Sequence, residues 1–185
     1  MKALKAVGKW WIAGLFLLVL VSLAAQSQVP IYGGTLVVAT DTEPPGLDPT
    51  TIVAAATHRI TYNNIMQGLV RIDRHGKIVP AIAETWEISE DGLEYTFYLR
   101  KNVKFHNGRY LTAEDVKFTF SRAMDPATGV PRPHFFADIS AVEVVNDFTV
   151  KIFLKKVNAN FLFYLAHGDC VIVAKEEVEK LKTHP

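Results

Sequence analysis

The tightest constraint on the fold of this chain is an alternation. From position 93 to position 100 the residues run Leu-Glu-Tyr-Thr-Phe-Tyr-Leu-Arg. Side chains of an extended segment point to opposite faces with period two. Leu93, Tyr95, Phe97 and Leu99 therefore share one face, and Glu94, Thr96, Tyr98 and Arg100 the other. Upstream, Trp86 and Ile88 share a face of a second extended segment. Ser89-Glu90-Asp91-Gly92 between the two has turn chemistry, with Gly92 free to take positive φ. The pair predicts a hairpin with one buried face. Asn107-Gly108 marks another turn, and Thr112 opens a helix with Asp115 in the capping-box position.

The rest of the chain carries signals of the same kind. Thr35 to Thr40 is apolar and β-branched and predicts a strand buried on both faces. Pro44, Pro45 and Gly46 then forbid regular structure. Thr57 to Gln67 predicts a helix capped by Thr57 and ended by Gly68, with His58 in its first turn facing water. Leu69 to Ile72 and Lys77 to Val79 flank a turn at Asp73-Arg74-His75-Gly76. Ala113 to Met124 predicts an amphipathic helix with Val116, Phe120 and Ala123 on one face, followed by a proline-rich loop. Ile139 to Val145 and Thr149 to Leu154 predict a hairpin around Asn146-Asp147. Asn158 caps a short apolar helix, Ala159 to Leu165; Cys170 to Val173 predicts a buried strand with an inert core thiol; Lys175 to Lys182 predicts a charged helix. The fold class is mixed α+β.

The first residues read as a targeting segment. Lys2, Lys5 and Lys9 precede an almost wholly apolar run, Trp10 to Ala25, and small residues follow. This predicts a signal peptide over residues 1–27 with Gln28 as the new terminus, and an uncleaved membrane anchor is the alternative. No cysteine lies near the site, which argues against lipid anchoring. Lys+Arg 20 against Asp+Glu 19 gives a net charge of +1, without the basic excess that nucleic-acid binding requires. Cys170 is the single cysteine, so no intramolecular disulfide forms. No His-Glu-x-x-His, EF-hand, zinc spacing, phosphate loop or Gly-x-Ser-x-Gly elbow occurs. Neither a cofactor nor a metal is expected, and no enzyme is read.

The stretch from Pro80 to Val116 contains Pro-Ala-Ile-Ala-Glu-Thr-Trp, Asp-Gly, an aromatic strand ending in Leu-Arg, Val-Lys-Phe-His-Asn-Gly and Leu-Thr-Ala-Glu-Asp-Val, in that order. It closely resembles the signature of the extracellular solute-binding proteins of family 5, the oligopeptide-, dipeptide- and nickel-binding receptors of ABC importers. Ile82 stands where the family has Leu, and Thr85 where it has Ser. The resemblance runs from Gly33 to the end of the chain. It implies a periplasmic-binding-protein-like, two-lobed fold of the large peptide-binding type, incomplete here. Residues 28–56 would be the first strand and ligand-side loop of lobe I, 57–165 a small inserted lobe, and 166–185 the start of a return into lobe I.

In the family, the backbone after a strand ending in Leu-Asp-Pro runs along the ligand. Here that backbone is Ile52, Val53, Ala54 and Ala55, whose small alanines would let a peptide approach and pair with main-chain groups. Phe135 and Phe136, after the proline-rich loop, are the other ligand-binding candidates; the same two residues also fit a role in pinning that loop. The implied function is an extracytoplasmic, periplasmic or cell-surface receptor that captures peptides or a related small solute. It would act as a monomer and deliver the solute to ABC permease subunits. Members of the family are far longer, so a fragment is expected. The alternatives are a membrane-tethered or secreted interaction module, a non-functional fragment of such a receptor, and a secreted hydrolase using Asp48, His58 or His106.

Overall fold

The computed structural model describes residues 33–183, so the expected signal peptide, residues 1–27, lies outside the described residues. The chain divides into two units, Met1–Ala39 and Thr40–Pro185. In the first unit, residues 33–39 carry neither helix nor strand, and Leu36, Val37 and Val38 are exposed. This corrects the strand expected at Thr35–Thr40. A β-branched run becomes a strand only where neighbouring backbone takes its N–H and C=O groups, and no ladder among the described residues includes it.

The second unit is built on the expected hairpins. Strands β1 (Val70–Ile72) and β2 (Ile78–Pro80) form a two-stranded ribbon. Strands β3 (Ala83–Ile88), β4 (Glu94–Leu99), β5 (Ile139–Asn146) and β6 (Thr149–Leu154) form an antiparallel sheet in the order β3-β4-β6-β5. Trp86 pairs with Phe97 and Ile88 with Tyr95, as the shared face requires. Gly92 takes φ 69° in the turn between them. β6 lies between β4 and its own hairpin partner β5, placing Val150 opposite both Phe97 and Val144, and Ile152 opposite both Tyr95 and Val142. Phe97, Val150 and Ile152 are fully buried. The far face is polar: Lys151 pairs with Glu94, and the Tyr98 hydroxyl donates to Glu87.

Helix α1 (Ala55–Thr61) differs from expectation. It begins before Thr57 and ends well before Gly68. Thr57 is buried within it and donates its hydroxyl to Gly46 O at 2.7 Å, so it ties the helix to the proline loop instead of capping it. The chain leaves the helix at Tyr62, and Asn63 takes φ 58°. Helix α2 (Ala113–Met124) starts as expected, with a reciprocal capping box in which the Thr112 N–H donates to Asp115 Oδ2 at 2.9 Å. Its buried Val116, Phe120 and Ala123 pack towards β5 and β6. Each fully buried side chain of this size contributes about 1.5–3 kcal/mol.

Helix α3 (Phe161–Leu165) is shorter than expected because Asn158 Oδ1 accepts from the Asn160 N–H at 2.9 Å, an Asx turn that postpones the helix. Its Phe161 ring sits 4.8 Å from that of Tyr95. The strand expected at Cys170–Val173 is also corrected. Gly168–Cys170 is a 3-10 turn. Beyond it the Ile172 N–H donates to Gln67 O at 2.9 Å and the Val173 N–H to the Thr119 hydroxyl at 3.2 Å, so a side chain stands where a ladder would be. Cys170 is fully buried, and burial pushes its thiol pKa up. Helix α4 (Lys175–Thr183) follows, anchored by Arg109, which donates to both Glu176 and Asp115. Among the described residues no helix is long and apolar enough to cross a membrane.

Candidate functional site

The densest polar junction in the second unit lies around Asp169, in the 3-10 turn before Cys170. Its carboxylate is fully buried and takes three partners. His58 Nε2 lies 2.8 Å from Oδ1, Arg132 Nη1 2.6 Å from Oδ2 and His167 Nδ1 2.9 Å from Oδ2. Burial raises the carboxyl pKa, but the bonds from His167, Arg132 and His58 outweigh it and hold the group down at about 2. His58 comes from α1, Arg132 from the proline-rich loop and His167 from the end of α3.

The ring of His58 is fixed at both ends. Its Nδ1 lies 3.1 Å from Ala54 O, and a carbonyl oxygen only accepts, so Nδ1 carries the hydrogen and Nε2 faces Asp169. Gly168 permits this approach: a Cβ built there would stand 2.4 Å from His58 Cδ2. The expectation that His58 faces water is therefore wrong. Its partner is 111 residues away in the chain.

The structure brings two of the sequence-predicted stretches to this junction. Ile52 and Val53 lie outside helix and strand, Ala54 has extended backbone and supplies the carbonyl that fixes His58, and Ala55 opens α1. Val53 is half exposed. Phe135 is partly buried; its ring stacks at 4.9 Å on Tyr164 and lies 5.0 Å from the ring of His167. Phe136 turns the other way into the core, 2% exposed and 5.8 Å from Phe120. His58, Arg132, His167 and Asp169 were not among the ligand-site candidates. His167 and Asp169 lie two residues apart in one turn, but no spacing links that pair to His58 or Arg132, which come from distant segments.

The three residues named for a hydrolase are placed apart, His58 at the Asp169 junction and Asp48 and His106 elsewhere. Asp48 Oδ1 accepts from the N–H and hydroxyl of Thr50, and Arg122 donates to that same hydroxyl, tying the loop to α2. His106 Nε2 lies 3.0 Å from Ile65 O. Asp48 and His106 both line an open, mainly apolar cleft of ≈ 850 Å³ with Leu47, Ile65, Phe105 and Ile172, whereas His58 belongs to the Asp169 junction.

With this geometry in hand, known proteins place the chain. The family description "Bacterial extracellular solute-binding proteins, family 5 Middle" matches residues 77–185, more than half of the chain. The chain is 34% identical over 165 residues to "Heme-binding protein A" of Haemophilus influenzae, covering 80% of this chain and 30% of that protein. It is 31% identical over 166 residues to "Di/tripeptide-binding protein 1" of Pseudomonas aeruginosa, covering 80% and 31%. Among solved structures, "PBP AgaA in complex with agropinic acid" from A. tumefaciens R10 superposes with a TM-score of 0.72 at 34% identity, covering 77% of this chain and 29% of that one. The chain thus spans about 30% of the length of the curated relatives it matches. The mixed α+β architecture is that of periplasmic binding proteins of the peptide-binding type. By the match over more than half of its length, the chain belongs to the bacterial extracellular solute-binding proteins, family 5.

Proposed function

We propose that this chain acts in the extracytoplasmic substrate-binding component of an ABC importer, capturing a peptide or a related small solute and presenting it to permease subunits in the membrane. The layout that goes with this reading is a signal peptide over 1–27, a ligand-side segment of lobe I over 28–56, a small inserted lobe over 57–165 and a return segment over 166–185. The function is capture without turnover, since family members bind substrate and leave it unchanged. Heme, di- and tripeptides and agropinic acid appear in the names of similar proteins. That range supports one scaffold with exchangeable contacts, in which the ligand class is set by a few side chains.

The observation that carries this reading is that Ala54 and Phe135 each touch a histidine of the Asp169 junction, Ala54 through the carbonyl that fixes His58 and Phe135 through a ring 5.0 Å from that of His167. The alanines of the Ile52–Ala55 run suit a close main-chain approach by a peptide. Phe135 offers an aromatic wall whose position is fixed by Tyr164 and His167. Phe136 belongs to the core, so its part in holding the ligand is indirect, through the backbone it shares with Phe135.

The test is a thermal-shift screen of the protein against pooled dipeptides and tripeptides. A ligand held at a hundred times its Kd stabilises by about 2.7 kcal/mol, which a melting curve resolves. The expected result is a saturable rise in Tm with at least one pool, abolished by Val53→Arg, a change at an exposed position that leaves the fold intact. A flat response to every pool, or a rise that Val53→Arg does not alter, would overturn the reading.

A further inference from the structure

We propose that His58, His167 and the carboxylate of Asp169 form a binding site for one divalent transition-metal ion of the zinc class, with an open coordination position towards solvent. This site stands or falls separately from the importer reading.

The geometry is the first reason. One ligand atom from each of these residues lies within 4.8 Å of the others, and the two ring nitrogens are already 2.8 and 2.9 Å from the carboxylate. Zinc binds nitrogen and oxygen at about 2.0–2.2 Å, so the edge of its coordination tetrahedron is about 3.4 Å. Opening the His58–Oδ1 contact by about half an ångström, within ordinary side-chain freedom, brings that pair to the separation of two ligands on one ion.

The surroundings are the second reason. A metal-bound histidine presents one nitrogen to the ion while the other donates to a carbonyl or carboxylate that fixes the ring. His58 has this arrangement, with Nδ1 on Ala54 O and Nε2 turned inward against Gly168. Arg132 and His167 both lie on Oδ2, so the guanidinium orients the carboxylate with Oδ1 turned to His58. Arg132 also cancels the charge of Asp169. An ion in the site would therefore draw an anionic donor or hydroxide to its remaining position. The opening lies on the His167 side, where the imidazole is 41% exposed.

The donor set is the third reason. Two imidazoles and one carboxylate suit zinc, nickel or copper and select against magnesium and calcium, which take oxygen ligands. Cys170, next in the chain, is buried in the apolar core and contributes no ligand.

The experiment is a titration of the full-length protein with Co²⁺, read by its visible d–d absorption, followed by displacement with Zn²⁺. The expected result is one saturable ion per chain, displaced by Zn²⁺ and indifferent to excess Mg²⁺. His58→Gln and His167→Gln, each checked for folding by circular dichroism, should each weaken binding by at least about tenfold. His75→Gln, at an exposed turn outside the junction, should leave it unchanged. Absence of a saturable spectrum in the wild-type protein would overturn the proposal. So would unchanged affinity in both junction variants, or an equal loss in His75→Gln.

Discussion

Two apolar, β-branched runs in this chain have opposite fates. Thr149–Leu154 lies at the centre of the sheet as β6, with Val150 and Ile152 fully buried. Thr35–Thr40 forms no strand, and Leu36, Val37 and Val38 are more than two-thirds exposed. Composition does not separate them. What differs is the supply of partners. β6 follows β5 through a tight turn at Asn146-Asp147, so its first ladder closes a loop of a few residues at little entropic cost. Its other edge meets β4, already shaped by the hairpin with β3. Thr35–Thr40 is flanked instead by Gly33-Gly34 and by Pro44-Pro45, and no strand among the described residues pairs with it. Strand state here is a property of the pairing rather than of the run.

The comparison breaks most visibly at Ile152. Removing its side chain leaves a cavity between β4, β5 and the helices, so Ile152→Ala should cost about 2–5 kcal/mol in urea unfolding. A cost below 1 kcal/mol would mean that the central strand is not what holds the unit together. Next comes a junction made by side chains instead of a ladder. Gly168→Ala pushes a methyl group against the fixed ring of His58 and should cost about 1–3 kcal/mol. NMR of the His58 ring should show it leaving Asp169.

A smaller effect sits at α4, which is held by charge. Bonds from Arg109 hold the Glu176 carboxyl at about 2, below its ordinary 4.5. Because the folded-state value is depressed, the contribution is complete above pH 4.5 and is lost as pH falls towards 2. Urea midpoints across that window should fall more steeply in the wild-type protein than in Glu176→Gln. Smallest of all, Leu36→Ala in the exposed run should change stability by no more than about 0.5 kcal/mol. A loss as large as that of Ile152→Ala would show that the first run is buried after all.

Much of the fold was legible because its determinants are local. The β3–β4 hairpin follows from alternation and a four-residue turn, and the start of α2 from Thr112 and Asp115 three residues apart. The β5–β6 hairpin follows from Asn146-Asp147 between two apolar runs. The failures share a cause. Thr57 has the chemistry of a cap, but Gly46 O, eleven positions away, claims its hydroxyl. Cys170–Val173 has the composition of a strand, but the Thr119 hydroxyl meets the Val173 N–H. His58 looks like a surface residue until Asp169 is brought to it. The candidate site was half legible. The Ile52–Ala55 run and Phe135 came from the resemblance to the family, whereas the charged junction that fixes their surroundings is visible only once the chain is folded.

The most direct test of solute capture is native mass spectrometry of the protein taken from its source cells, followed by denaturation in the same instrument. A small molecule carried into the gas phase with the protein and released on unfolding is the predicted result, and its mass would give the ligand class. Protein arriving without any such molecule, but bound in fixed ratio to another polypeptide, would contradict solute capture and point to an interaction module in its place.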